Sequence, residues 1–167
     1  MQTRRSWRVF TLIALVMLSW CAIGANTDTI TVNYEVQAIN ELAITGASVT
    51  LTVSTATAGS QPDDATDNSA ATYAITTNST TADSKKITAA IDTDMPADVT
   101  LSLTLGAPSG ATSAGETAIT SVAADVVTAI EAVAESALVM TFKLSATVTA
   151  GVVGSASKTL TLTLTDS

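Results

Sequence analysis

Oily and hydroxylated residues trade places along most of this chain. Near its end Leu138, Met140, Phe142, Leu144, Ala146 and Val148 alternate with Val139, Thr141, Lys143, Ser145, Thr147 and Thr149. After Gly151 and Gly154 the beat resumes, with Leu160, Leu162 and Leu164 set against Thr159, Thr161 and Thr163. A period of two sends successive side chains to opposite faces of a strand, and Leu or Val inside with Thr outside suits a surface half buried and half wet. The pattern predicts a terminal β-hairpin with one oily face. Two strands alone are marginal in water, so that face needs a second sheet to cover it.

Earlier segments carry the same signature. Ile30, Val32, Tyr34 and Val36 alternate with polar neighbours and predict a first strand over 29–37. Leu42 and Ile44 keep its parity after a break at Asn40-Glu41, where the chain is expected to bend or bulge. Beyond a turn at Gly46-Ala47, Val49, Leu51 and Val53 read as another strand. Between Thr55 and Ala71 the alternation stops and Gly59, Pro62, Asp63, Asp64, Asp67 and Asn68 collect, predicting a long polar loop. Short strands follow at Tyr73 and Ile75, at Ile87, Ala89 and Ile91, at Val99, Leu101, Leu103 and Leu105, and briefly from Ile119 to Val122. The stretch Val122–Val133 is ambiguous. Val122, Val126, Ile130 and Val133 fall near helical spacing, whereas Val126-Val127-Thr128 is β-branched and suits an extended chain. With turn clusters at intervals of roughly ten residues, the chain is expected to be all-β, an immunoglobulin-like antiparallel β-sandwich of about eight or nine strands.

The first residues read differently. Arg4, Arg5 and Arg8 lead into an apolar run ending near Ile23, and Ala22, Gly24 and Ala25 are small. Charge, then apolar run, then small residues is the order of a secretory signal. The run is short for a bilayer crossing, so residues 1–25 are expected to be a cleaved signal peptide and residues 26–167 a single exported domain. Arg4-Arg5 also fits a twin-arginine signal, and Leu18-Ser19-Trp20-Cys21 has the outline of a lipoprotein site, though Trp20 is large where a small residue belongs.

Removal of such a leader changes the chemistry of the remainder. Every Arg, both Trp and the only Cys go with it. Lys85, Lys86, Lys143 and Lys158 are then the only basic side chains against 15 Asp and Glu, a net charge near −11. Such a surface repels phosphate backbones and anionic lipid, arguing against nucleic-acid and membrane partners. Without Cys, His or Arg, a disulfide framework, a thiol or serine catalytic triad and a histidine metal centre all lack their parts. A glycosidase pair of carboxylates would want an aromatic-lined cleft. The remaining aromatics, Tyr34, Tyr73 and Phe142, fall by parity in the core. The expectation is a protein that is not an enzyme and holds no organic cofactor. Asp63, Asp64 and Asp67 are candidate calcium ligands, although their spacing lacks the pattern of a twelve-residue calcium loop. Asp in such a loop also serves turn formation and solubility. Asn78-Ser79-Thr80 forms an N-glycosylation sequon where a polar turn is expected.

The Met140-Thr-Phe-Lys-Leu strand, the Ala150-Gly151 break and the closing Thr-Leu-Thr-Leu-Thr-Leu-Thr segment resemble the layout of bacterial immunoglobulin-like surface proteins, fimbrial subunits and spore-coat-U-type secreted proteins among them. The resemblance implies a secreted, non-catalytic subunit of an extracellular filament or surface layer whose partners are copies of itself. Chaperone-assembled pilins often carry a disulfide, which this chain lacks. Ile30, Val32, Tyr34 and Val36 would then form an assembly strand that pairs with a neighbour's sheet edge. The other reading for this strand is pairing within its own sheet. The rival function is a secreted adhesin or calcium-dependent carbohydrate-binding module, using the 55–71 loop against a glycan or host surface.

Overall fold

The computed structural model describes residues 26–167. The signal-peptide reading lies outside the described residues. The chain divides into two units, Met1–Glu35 and Val36–Ser167. All of the described sheet structure belongs to the second, in which strands alternate with irregular connections and two short 3-10 turns.

Among the described residues ten strands occur in chain order: β1 (Asn40–Thr45), β2 (Ala65–Asp67), β3 (Thr72–Thr77), β4 (Lys85–Ile91), β5 (Val99–Leu105), β6 (Thr112–Ser113), β7 (Thr117–Ala118), β8 (Ala124–Ile130), β9 (Val133–Ala146) and β10 (Leu160–Asp166). One sheet has the order β1-β3-β9-β5-β7, with β2 also paired to β9, and the other has the order β10-β4-β8-β6. Every pairing between these strands is antiparallel. The core draws Tyr73, Ile75, Leu103, Leu105, Met140 and Phe142 from the first sheet and Ile87, Ala89, Ile91, Val126, Val127 and Ile130 from the second. The protein is therefore all-β and sandwich-like, with two antiparallel layers joined by the oily rows that the alternation marks out.

The terminal hairpin is corrected. β9 and β10 are not partners: β9 pairs with β3, β2 and β5, whereas β10 pairs with β4 in the other sheet. The connection from Thr147 to Thr159 is far longer than the two to five residues of a tight hairpin, so the chain changes layers there. Both oily rows still pack on the core.

Val122–Val133 resolves toward strand, with β8 occupying Ala124–Ile130 and Val126, Val127 and Ile130 fully buried. Ala129 sits at φ 56° where the β4–β8 register slips, and Ala137 at φ 57° where the β3–β9 register slips. In each case a residue in the left-handed region accommodates a bulge that lets the pairing resume. Val49, Leu51 and Val53 alternate in burial without joining a ladder. The 55–71 segment is less of a free loop than its composition suggests, because β2 pairs with β9 and Ala56 bridges Pro62. The brief strand expected at Ile119–Val122 lies slightly earlier, as β7, with Ile119 buried and its N–H donated to the Leu101 carbonyl.

The predicted first strand is corrected too. Residues 29–37 belong to no ladder, and Tyr34, expected in the core, is exposed. Period-two patterning states which face of a segment wants burial. It does not state which chain supplies the cover.

Candidate assembly site

The segment from Thr29 to Gln37 alternates but joins no strand ladder among the described residues. Ile30 is 88% exposed, Val32 73%, Tyr34 91% and Val36 78%. Four large apolar side chains in water, spaced to share one face of a strand, are the kind of surface that soluble proteins avoid unless something covers it.

The body carries the complementary defect. β10 pairs with β4 along one edge, and no strand among the described residues pairs with its other edge. Its inward row, Leu160, Leu162 and Leu164, packs on the core yet is only partly buried. β1 is the end strand of the opposite sheet, and its inward Leu42 and Ile44 are likewise incompletely covered, Ile44 being 45% exposed. β1 and β10 are near neighbours. A seam between two end strands is thus lined on both sides by apolar residues, beside backbone N–H and C=O groups with no strand partner.

At one end of this seam a cleft of about 430 Å³ is lined by Ala38, Asn40, Asn78, Lys85, Asp166 and Ser167 among others. β1 starts here and β10 finishes here, since Asn40 is opposite Thr77 and Asp166 is opposite Lys85 at the two ends of the β3–β4 connection. Lys85 also pairs with the Asp166 carboxylate across that final rung. Asn78 holds the chain as it enters β1. Its N–H donates to the Ile39 carbonyl at 3.2 Å, its side-chain Oδ1 accepts from the Ile39 N–H at 2.8 Å, and its Nδ2 donates to the Gln37 carbonyl at 2.8 Å. The side-chain amide thereby replaces the next rung of the β1–β3 ladder. Beneath it, Thr77 Oγ1 bonds to Asn40 Oδ1 and Ser79 Oγ, and the Ser79 carbonyl accepts from the Ala132 N–H. The side-chain nitrogen of the sequon asparagine is thus the donor to the Gln37 carbonyl.

Two of the three candidate calcium ligands, Asp67 and Asp64, have partners within the chain, and the backbone N–H of Asp63 donates to the Thr55 carbonyl. Asp67 Oδ1 accepts from the backbone N–H groups of Ser69 and Ala70, and those bonds hold its carboxyl below the ordinary range. Asp64 lies 3.7 Å from Lys143 Nζ, whose closer partner is Glu116 at 2.5 Å. The bond from Lys143 pulls the Glu116 carboxyl down, and Glu116 raises the Lys143 ammonium in return. Among the described residues no group of three acidic side chains converges as a metal would require. Patterning drew attention to the exposed 30–36 row. It gave no notice of the open β10 edge, which depends on the layer change between β9 and β10, nor of Asn78, whose role depends on the β1–β3 register.

No protein-family model matches this chain, and comparison with the curated proteins and with the solved structures gives no match.

Proposed function

We propose that this chain is a non-catalytic structural subunit, secreted to the cell exterior, that assembles with copies of itself by strand addition. In this reading the Thr29–Gln37 segment of one copy lies along the free edge of β10 in the next. Its backbone continues the sheet, and Ile30, Val32, Tyr34 and Val36 complete the half-covered core between β10 and β1.

Strand order carries the argument. A seven-stranded immunoglobulin sandwich places its first, second, fifth and fourth strands in one sheet and its third, sixth and seventh in the other. With β1, β3, β4, β5, β9 and β10 taken as the first six, the order β1-β3-β9-β5 and the neighbours β4-β10 reproduce that plan. The seventh strand, which would flank β10, has no counterpart among the described residues. On this reading the described residues make up an immunoglobulin-like sandwich that lacks its last strand, and the same chain presents one strand's worth of alternating apolar residues. An acidic exterior with few cations suits a surface built for protein neighbours and not for nucleic acid.

The test is removal of residues 26–36, followed by negative-stain imaging and light scattering. Loss of filaments or oligomers, with the circular dichroism of the sheet retained, is expected. Assembly that persists unchanged would dismiss the reading.

A further inference from the structure

We infer that Asn78 is a positioning residue that directs the 29–37 segment toward another copy by blocking its return onto β10 of the same chain. The inference rests on the assembly reading above, and it concerns a choice that the reading leaves open. The same open edge that would receive a neighbour's segment lies close to the root of the chain's own.

The geometry makes self-pairing a real competitor. Gln37–Ile39 lead into β1 at the end of the seam where β10 terminates, in the cleft shared by Ala38, Asp166 and Ser167. The segment from Thr29 to Val36 is long enough to run beside all of β10. To do so the chain must reverse within Gln37–Ile39, so that it passes down β10 before turning back into β1.

Asn78 stands in the way of that reversal. Its Oδ1 and Nδ2 bridge the Ile39 N–H and the Gln37 carbonyl, and its own N–H holds the Ile39 carbonyl, so three bonds fix two residues with Ala38 between them. A tight turn there would surrender the two side-chain bonds together. The clamp itself is anchored, because Asn78 follows Thr77, whose hydroxyl is tied to Asn40 and Ser79. Aspartate at this position would keep the acceptor for Ile39 and lose the donor for Gln37, whereas alanine would lose both. Loss of two backbone-directed bonds should shift the balance between closed and open forms about tenfold.

The experiment compares the full chain with Asn78→Ala and Asn78→Asp by sedimentation velocity at matched concentration, and measures the melting of the monomer fraction. The expected result is a monomer-to-oligomer ratio raised about tenfold for Asn78→Ala and by less for Asn78→Asp. The Asn78→Ala monomer should melt at or above the wild-type monomer, because its own segment now covers β10. A merely structural asparagine would move the melting the other way. Assembly unchanged in Asn78→Ala overturns the inference, and so does a joint fall of assembly and melting temperature. The 26–36 deletion separates the two failures: if it abolishes assembly while Asn78→Ala does nothing, the inference alone is lost. If the deletion leaves assembly intact, the reading and the inference fall together.

Discussion

The hydroxyl of Tyr73 donates to the carbonyl oxygen of Gly106 at 2.5 Å, tying β3 to the residue that follows β5. Gly106 in turn donates its N–H to the Val139 carbonyl on β9, so three strands of one sheet meet through a fully buried tyrosine. Tyr73→Phe keeps the ring and deletes the bond, leaving the Gly106 carbonyl without that donor. The expected loss is about 1–3 kcal/mol in a urea titration, with the slope unchanged. An unaltered midpoint would show that the bond is dispensable.

The same burial sets a limit on alkaline stability. Desolvation, with a smaller contribution from the negative charge of Glu135, pushes the Tyr73 hydroxyl from its ordinary 10.0 up to about 12. A pKa raised by folding means that the unfolded chain gives up the proton first. The stabilisation is therefore complete below about pH 10 and drains away as the pH rises through about 12. Melting temperature followed over that window should fall steeply, and Tyr73→Phe should flatten the decline. Equal slopes in the two proteins would contradict the assignment.

Gly46 occupies a place that no other residue fits. Its φ is 135°, and a Cβ built there would lie 2.5 Å from the Ala70 carbonyl oxygen, with backbone and not a flexible tip in the way. Gly46→Ala should cost about 2–4 kcal/mol, combining a disfavoured backbone region with a clash against the chain leading into β3. Denaturant unfolding measures it directly, and a loss within about 0.5 kcal/mol would show that the turn yields easily.

Ala137 supplies the reverse case. Held at φ 57° in the β3–β9 bulge, it bears the steric cost that L-residues meet in the left-handed region, where glycine is at ease. Ala137→Gly should therefore stabilise by about 0.5–1 kcal/mol, against the usual direction of Ala→Gly in a strand. Calorimetric melting decides the sign, and a drop would place the strain elsewhere.

These positions also mark what the sequence could and could not disclose. Rows such as Leu101, Leu103 and Leu105 were legible because a period of two is imposed by the pleat itself and survives any arrangement of strands. The pairing of β9 with β5, and not with β10, was not legible, since alternation carries no information about partner or layer. The bulges at Ala129 and Ala137 have no glycine to announce them. Thr29–Gln37 carries a sound strand pattern, yet none of the ladders among the described residues covers it. The role of Asn78 stayed hidden because its amide completes a ladder whose register only the fold defines.

Amide hydrogen exchange as a function of protein concentration addresses the central claim most directly. If a neighbour's segment joins the sheet, alternate N–H groups of Thr29–Gln37 and the outward N–H groups of β10 should slow together, by about a hundredfold or more, as oligomers form. Exchange of both sets at free-peptide rates at every concentration, including those at which assemblies are visible, would contradict assembly by strand addition.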